Sequence, residues 1–313
     1  RKECAGIHLR LQPTAREPCS DPGVESSQCE SEFAVIDICV NLQNSQFSQD
    51  RAAVLERATQ AGITGILACS TDLDMSLDNQ VLCDEARSES GWPKLATTAG
   101  VHPHDAQKWQ EADSERLRAL SSNPCVAAIG ECGLDFNRNF SEPSTQRRAF
   151  QAQIEVACET HKPLLVHDRD SNGEVLHWLT KPNRQPSAVI HCFTGNAAEL
   201  DSYLDAGCYI GITGWLCDQT RGQELRRLVR LIPDDRLMIE TDAPFLRPQN
   251  APSNEGLFTG SLSAQKKYRR RNEPALLTFV LARLAELRQQ NPEHLAQKCA
   301  TNAGRFFNFD ATA

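Results

Sequence analysis

Glu131 stands near the end of the apolar stretch Val126–Asp135 (VAAIGECGLD), and its surroundings suggest chemistry. An apolar run of strand length that closes on a glutamate and then on Gly133 is typical of a strand whose C-terminal end carries an acid into a site. A solvated glutamate at a strand end would give the same local pattern. This stretch alone therefore does not decide between the two interpretations.

An apolar strand followed by histidine or aspartate recurs at residues 96–104 (ATTAGVHPH), 162–170 (KPLLVHDRD), 187–193 (SAVIHCF) and 237–244 (LMIETDAP). Imidazole nitrogens and carboxylate oxygens are the ligands of catalytic divalent-metal sites that leave positions open for water and substrate. We therefore predict that Glu131, His167 and His191 are metal ligands. Either histidine by itself would more simply be a hydrogen-bonded core residue, but the recurrence at several strand ends favours a common site.

Asp242 follows the last of these apolar strands. A carboxylate there is expected to accept a proton from an activated water or to hold a second ion. The simpler alternative is a turn aspartate before Ala243 and Pro244. Metal ions and carboxylates in this combination suit the hydrolysis of phosphate esters or amides.

The elements that must position these residues alternate between strand and helix at intervals of roughly thirty residues. The predicted strands are 33–39, 64–69, 94–101, 126–135, 163–167, 188–191, 209–213 and 237–241, and the predicted helices are 49–61, 74–90, 114–120, 144–161, 173–179, 197–206, 219–231, 275–288 and 292–300. This order predicts a (β/α)8 TIM barrel, in which function lies at the C-terminal ends of the strands. A doubly wound open sheet is the alternative, but the chain has no G-x-G-x-x-G motif.

Two segments fall outside this alternation. Residues 1–32 contain proline, serine and glutamate without periodicity, which predicts a disordered leader before a barrel domain at 33–313 that includes the C-terminal helices. The Pro-, Asn-, Ser- and Gly-rich stretch from Pro244 to about Gln265 is long enough to be a lid or a flexible loop.

Composition limits the compartment and the partners. The net charge of -8 means that a nucleic-acid substrate would need a local basic patch or a bound cation. The thirteen cysteines include no C-x-x-C pair, and several lie in apolar runs, so we expect buried thiols in a reducing compartment. Without a signal peptide or an apolar run of about 18 residues, a cytoplasmic protein that does not enter membranes is expected, or a nuclear one in a eukaryote.

Several segments, in order, resemble the TatD family of metal-dependent nucleases, which are amidohydrolase-like barrels: IGECGLDFNRNF, VHDRD, IHCFTG, YIGITGW and IETDAP. The resemblance covers about residues 35–307 and implies a divalent-metal hydrolase that trims DNA from its 3′ end. It places metal ligands at Glu131, His167 and His191 and the acidic catalytic residue at Asp242. His102, in GVHPHD, matches a family histidine that would contact substrate or the water on the metal.

One segment departs from the family pattern. Most relatives begin the first strand with Asp-x-His-x-His, whereas residues 37–41 read DICVN, as in the branch that contains TatD itself. A first metal site would then be weak, or would depend on Asn41 and Asp242. Such an oxygen-rich set favours Mg²⁺, with Mn²⁺ as a substitute, over Zn²⁺. Cys39 could bind zinc, but a buried strand cysteine is the simpler interpretation.

Substrate contacts are predicted from charge and shape. Arg169 could clamp a phosphate with its planar guanidinium, or pair with a neighbouring aspartate. Asp135 could anchor water or hold an arginine. The basic run 266–271 (KKYRRR) precedes a family motif, so Arg271 is a candidate nucleic-acid contact, although such runs are usually solvated. Three aromatic residues could stack on bases, with core packing as the default for the first two: Phe136, Phe140 and Trp215.

The resemblance thus implies a monomeric 3′–5′ exodeoxyribonuclease that acts mainly on single-stranded DNA, and it leaves open whether RNA is also cut. Two alternatives stay open at this point. One is a metal-dependent barrel that hydrolyses a small amide or lactone, and the other is a non-catalytic barrel that serves as a partner of nucleases.

Overall fold

The computed structural model describes residues 34–181, 185–253 and 269–309. The predicted leader at 1–32, most of the predicted lid and the first half of the basic run lie outside the described residues. Within the described residues, no helix is long and apolar enough to cross a membrane.

Eight parallel strands pair in the order of the sequence. They are β1 Ile36–Val40, β2 Gly65–Ala68, β3 Lys94–Ala99, β4 Val126–Asp135, β5 Leu164–Arg169, β6 Ala188–Ile190, β7 Tyr209–Ile212 and β8 Leu237–Ile239. A backbone bridge between Val40 and Ala243 brings the segment after β8 against β1. The predicted (β/α)8 barrel is confirmed.

Helices follow the strands and cover the outside of the sheet. They are α1 Arg51–Gln60, α2 Leu73–Ala86, α3 Asp113–Ser121, α4 Pro143–Thr160, α5 Glu174–Leu179, α6 Ala197–Asp205, α7 Gln223–Leu228, α8 Leu277–Arg288 and α9 Pro292–Phe307. The helix predicted at 219–231 is shorter than expected, because Asp218 accepts hydrogen bonds from the backbone N–H groups of Thr220 and Arg221 and forms a turn there. A 3₁₀ helix, Pro103–Lys108, lies between the predicted strand 94–101 and the predicted helix 114–120.

One end of the barrel is filled with apolar side chains. Small and medium-sized residues from most of the strands meet inside the barrel, among them Leu67, Ala128 and Met238. The aromatic rings of Phe307 and Phe309 pack on this inner cluster from the C-terminal end of the chain. A Cβ atom on Gly65, the first residue of β2, would lie 2.8 Å from the Phe309 ring. The two aromatic rings therefore cover the N-terminal ends of the strands. The C-terminal ends are left for the site.

A buried carboxylate joins the first and last strands. Asp37 in β1 accepts hydrogen bonds from the backbone N–H of Thr241 at 2.9 Å and from its hydroxyl at 2.6 Å. Burial raises the pKa of Asp37 to about 8. These side-chain bonds, together with the bridge at Val40, hold the short β8 against β1.

Candidate active site

Two glycines allow Glu131 to enter the barrel. Gly130 and Gly133 have φ angles of 143° and 140°, which side chains rarely adopt. A Cβ atom on Gly133 would lie 1.9 Å from the carbonyl oxygen of His167, so only glycine permits this approach of β4 to β5. The β4–β5 register shifts between Ile129 and Cys132. The two glycines of the GECG motif therefore allow a local distortion of β4 that points the Glu131 side chain inward beside the end of β5.

Three imidazoles surround one oxygen of Glu131. Oε1 lies 3.1 Å from Nε2 of His102, 3.0 Å from Nδ1 of His167 and 2.9 Å from Nε2 of His191. Glu131 is only 5% exposed. The structure therefore brings together the predicted ligands Glu131, His167 and His191, and it adds the predicted contact His102.

The cluster of Glu131 and the three histidines holds charged groups that are buried away from water. Burial opposes ionisation of Glu131, but the positive charge of His191 and the hydrogen bonds from His102 and His167 hold the pKa of this carboxyl well below its usual range. Burial likewise opposes protonation of His191, yet the carboxylates of Glu131 and Glu240 raise its pKa well above the ordinary value. Burial lowers the pKa of His102. Hydrogen bonds with Asp135 and Glu131 likewise raise the pKa of His167 against the effect of burial, so protons on His191 and His167 stabilise the central carboxylates.

Asp135 contacts the imidazole rings of His104 and His167. Its Oδ2 lies 2.7 Å from Nε2 of His104 and 3.4 Å from Nε2 of His167, and its Oδ1 accepts backbone N–H groups from Asn137 and Arg138. Although burial opposes ionisation, the hydrogen bond with His104, the nearby His167 ring and the backbone N–H groups hold the pKa of Asp135 below its usual range. In the structure Asp135 orients histidines instead of holding an arginine.

Asp242 lies on the β1 side of the cluster. One of its carboxylate oxygens, a ring nitrogen of His191 and Sγ of Cys39 are within 4.8 Å of one another. Its backbone N–H donates to the carbonyl oxygen of Cys39 at 3.0 Å. Burial raises the pKa of Asp242 to about 7. A carboxylate with this pKa is suited to accept a proton near neutral pH.

The donors fit a divalent cation. His102, Glu131 and His167 offer donor atoms that all lie within 4.8 Å of one another. Asn41, at the end of β1, donates its backbone N–H to Ala243, next to Asp242. Its Oδ1 is buried and has no hydrogen-bond partner in the described part of the chain. A bound cation would satisfy such an oxygen, and carboxylate, amide and imidazole donors are those that divalent ions use in catalytic sites.

Most of the chain matches the model of a known protein family. The family model described as TatD-related DNase matches residues 36–308. This chain belongs to the TatD family. The predicted family membership is confirmed.

TatD relatives match the chain along almost their whole length. The chain is 46% identical over 274 residues to the 3′-5′ ssDNA/RNA exonuclease TatD of Pectobacterium carotovorum, covering 87% of this chain and 99% of that protein. It is 44% identical over 279 residues to the protein of the same name from Erwinia billingiae, covering 88% of this chain and all of that protein.

Solved structures of TatD proteins share the architecture. A TatD family hydrolase from Entamoeba histolytica superposes with a TM-score of 0.76 at 26% identity, covering 87% of this chain and 97% of that one. The TatD homologue YJJV from Escherichia coli superposes with a TM-score of 0.74 at 26% identity, covering 88% of this chain and 98% of that one. The barrel described above is therefore the TatD barrel.

Two basic residues of this TatD protein differ in their surroundings. Arg169 ends β5 at the rim, and its half-buried side chain makes no ion pair or hydrogen bond with any described residue. Arg271 is 1% exposed and pairs with Asp50 and Glu273, each at 2.8 Å. Its guanidinium is paired with the buried Glu273 and the partly exposed Asp50, which argues against the predicted nucleic-acid contact at Arg271.

The three aromatic residues predicted to stack on bases differ in their exposure and packing. Phe140 is 61% exposed, and its ring centre lies 4.7 Å from that of His104, so core packing is the wrong expectation for it. Phe136 packs on the core with the guanidinium of Arg147 above its ring, as expected. Trp215 is partly buried in the loop after β7.

The sequence reasoning missed Glu240 and His104. Glu240 is fully buried, its Oε2 lies 3.4 Å from Nδ1 of His191, and it accepts the backbone N–H of Cys192. Its signal was the glycine opposite, because a Cβ atom on Gly211 would lie 2.7 Å from Oε1 of Glu240. His104 was visible in GVHPHD, but only its contact with Asp135 distinguishes its role from that of His102.

Proposed function

We propose that this protein is a divalent-metal-dependent 3′–5′ exonuclease that hydrolyses phosphodiester bonds of single-stranded DNA and also acts on RNA. The observation that carries the proposal is the single oxygen of Glu131 held within 3.1 Å of three imidazoles at the C-terminal end of a TatD barrel. Relatives of matching length carry the name 3′-5′ ssDNA/RNA exonuclease TatD, which supports the substrate and the polarity.

Glu131, His167, His191 and Asp242 would hold the cation, with Asn41 as an additional oxygen donor. A divalent ion at such a site lowers the pKa of water and offsets negative charge on the phosphate and on the leaving oxygen. We propose Mg²⁺ in this role, with Mn²⁺ as a substitute, because carboxylate and amide oxygens dominate the donors other than histidine.

The side chains divide the remaining work. Asp242 would accept the proton of the attacking water, because its carboxylate lies close to His191 and is partly exposed at the rim of the barrel. His102 accepts the backbone N–H of His104 at Nδ1, so its neutral ring carries its proton on Nε2, facing Glu131. This proton fixes the orientation of the Glu131 carboxylate. Asp135 holds His104 and His167 in place.

Arg169 and Phe140 are proposed to bind the substrate strand. Arg169 offers a guanidinium fork at the rim that is paired with no described residue, and such a fork suits a phosphate oxygen pair. Phe140 offers an exposed ring next to His104 on which a base can stack. Because the chain carries a net charge of -8, such local contacts have to overcome general repulsion of the polyanion. The expected monomeric state and cytoplasmic location stay predictions.

The test is a comparison of Glu131→Gln with wild type on a 3′-labelled and a 5′-labelled single-stranded oligonucleotide in Mg²⁺. Wild type should release mononucleotides from the 3′ end, and Glu131→Gln should lose about a hundredfold or more in rate with an unchanged circular-dichroism spectrum. Glu115→Gln, an exposed glutamate on α3, is the matched control and should behave as wild type. Full activity of Glu131→Gln, or hydrolysis only of a small amide or lactone by wild type, would contradict the proposal.

A further inference from the structure

Two thiols lie inside the barrel directly beside Glu131. Cys39 belongs to β1, and Cys69 follows β2, where its backbone N–H donates to the carbonyl oxygen of Val40 at 2.9 Å. Their side chains are buried, at 0% and 1% exposure. The two Sγ atoms and one carboxylate oxygen of Glu131 lie within 4.8 Å of one another.

Cys39 also takes part in a second group of donors. Its Sγ, a ring nitrogen of His191 and a carboxylate oxygen of Asp242 lie within 4.8 Å of one another. Two thiols, two carboxylates and one imidazole therefore converge around Cys39. Asp242 is partly exposed, so this group opens toward the rim of the barrel.

We propose that Cys39 and Cys69, with Glu131 and either His191 or Asp242, form a site for a thiophilic divalent cation such as Zn²⁺ or Cd²⁺. Thiolates bind these ions in preference to Mg²⁺. Donor atoms around a tetrahedral zinc are about 3.3 to 3.8 Å apart, so within each group of three the donor atoms need to approach one another by about 1.5 Å at most. On binding, each thiol loses its proton to solvent and forms one sulfur–metal bond, and nothing is oxidised or reduced.

Sharing of Glu131 has a chemical consequence. The same carboxylate serves the oxygen- and nitrogen-rich centre proposed for hydrolysis, so a thiophilic ion and Mg²⁺ compete for it. The sulfur donors favour the thiophilic ion. We therefore expect Zn²⁺ to displace the ion needed for hydrolysis and not to replace it functionally. The site itself rests only on the proximity of the donors, so it stands or falls independently of the nuclease assay.

The alternative is that the thiols are ordinary core residues that pack against each other. Buried cysteines elsewhere in this barrel illustrate that role, such as Cys299 in α9. Within the described residues, however, every group of three or more close metal donors includes Glu131 or Cys39. Packing alone predicts no sulfur ligation of any added ion.

The test is a titration of the full chain with Co²⁺, followed by absorption spectroscopy. Sulfur ligation gives a thiolate-to-cobalt charge-transfer band in the near ultraviolet, which oxygen and nitrogen ligands do not give. We expect the band in wild type, its loss in Cys39→Ala and in Cys69→Ala, and its retention in the control Cys299→Ala. No band in wild type, or an unchanged band in Cys39→Ala, would overturn the proposal.

A second measurement guards against variants that fail to fold. X-ray absorption on the Zn²⁺-loaded protein should show sulfur neighbours at about 2.3 Å, whereas only nitrogen and oxygen neighbours at about 2.0 to 2.1 Å would overturn the proposal. A background in which Cys4, Cys19 and Cys29 are replaced by serine keeps the cysteines of the N-terminal segment from contributing. This measurement needs no change at Cys39 or Cys69.

Discussion

The Nδ1 atom of His191 lies 3.4 Å from Oε2 of Glu240, while Nε2 of the same ring faces Glu131 at 2.9 Å. Glu240 is fully buried and also accepts the backbone N–H of the neighbouring Cys192. Glu240 thus holds the orientation of the His191 ring from the side opposite Glu131. Glu240 is a positioning residue for the proposed ligand His191.

Replacement of Glu240 by glutamine should loosen this ring. An amide can keep only one of the two hydrogen bonds as an acceptor, so His191 loses its fixed orientation. We expect a decrease of about 10- to 100-fold in activity and an increase in the Mn²⁺ concentration needed for half-maximal rate. Glu224→Gln, on the exposed surface of α7, is the control. An unchanged Mn²⁺ requirement in Glu240→Gln would show that Glu240 does not position His191.

Removal of the guanidinium in Arg169→Ala should weaken substrate binding. A charge-assisted contact with phosphate contributes about 1.5 to 3 kcal/mol, so KM for single-stranded DNA should rise about tenfold or more. The salt dependence of KM should also become shallower, because one fewer phosphate is neutralised. Arg148→Ala, an exposed residue on α4, serves as the matched control. Equal KM values and equal salt dependence in the two variants would exclude a phosphate contact at Arg169.

Replacement of Arg271 should affect stability and not substrate binding. Arg271→Ala leaves the carboxylates of Asp50 and Glu273 with only Arg57 as a cation beside them. Because Arg57 still pairs with both carboxylates, we expect a loss of about 1.5 to 3 kcal/mol in the free energy of unfolding, which chemical denaturation can measure. KM per folded molecule should be that of wild type. A raised KM with normal stability would restore the nucleic-acid role that burial argues against.

The link between β1 and β8 should make stability depend on pH. The folded pKa of about 8 for Asp37 exceeds the ordinary aspartate value of about 3.9, so the folded state holds a proton that the unfolded state releases. This contribution is fully present below about pH 4 and is lost as the pH rises through about 8.

The comparison of wild type with Asp37→Asn tests this effect. Asparagine can still pair with Thr241 but does not titrate, so the difference in free energy of unfolding between the two proteins should change in favour of the variant between about pH 5 and about pH 9. Asp201→Asn, on the exposed face of α6, controls for the change in net charge. A constant difference across this range would mean that Asp37 is ionised in the folded protein.

The strand ends made the centre predictable from sequence. In a parallel barrel all C-terminal strand ends meet at one rim, so an acid and two histidines that close separate strands must come together. Glu131, His167 and His191 followed from this rule without knowledge of any contact. The glycines on either side of Glu131 were visible too, although their reason, the approach of β4 to β5, needed the structure.

Partners that are distant in sequence were not predictable. Arg271 belongs to a basic run that suggests solvent or nucleic acid, and only the folded chain shows Asp50, 221 positions earlier, at 2.8 Å. Cys69 likewise gained meaning only when β2 was placed next to β1 and Cys39. Glu240 was passed over because Asp242, two residues later, carried the family resemblance. In each case the local sequence pattern indicated what the residue could do chemically, but not which distant side chain it contacts in the fold.

Anomalous diffraction from crystals of the wild-type protein soaked in Mn²⁺ tests the central claim most directly. We expect at least one Mn²⁺ peak bound by Glu131 together with His167 or His191, at the C-terminal rim of the barrel. Mn²⁺ bound elsewhere, or no peak within reach of Glu131, would contradict it.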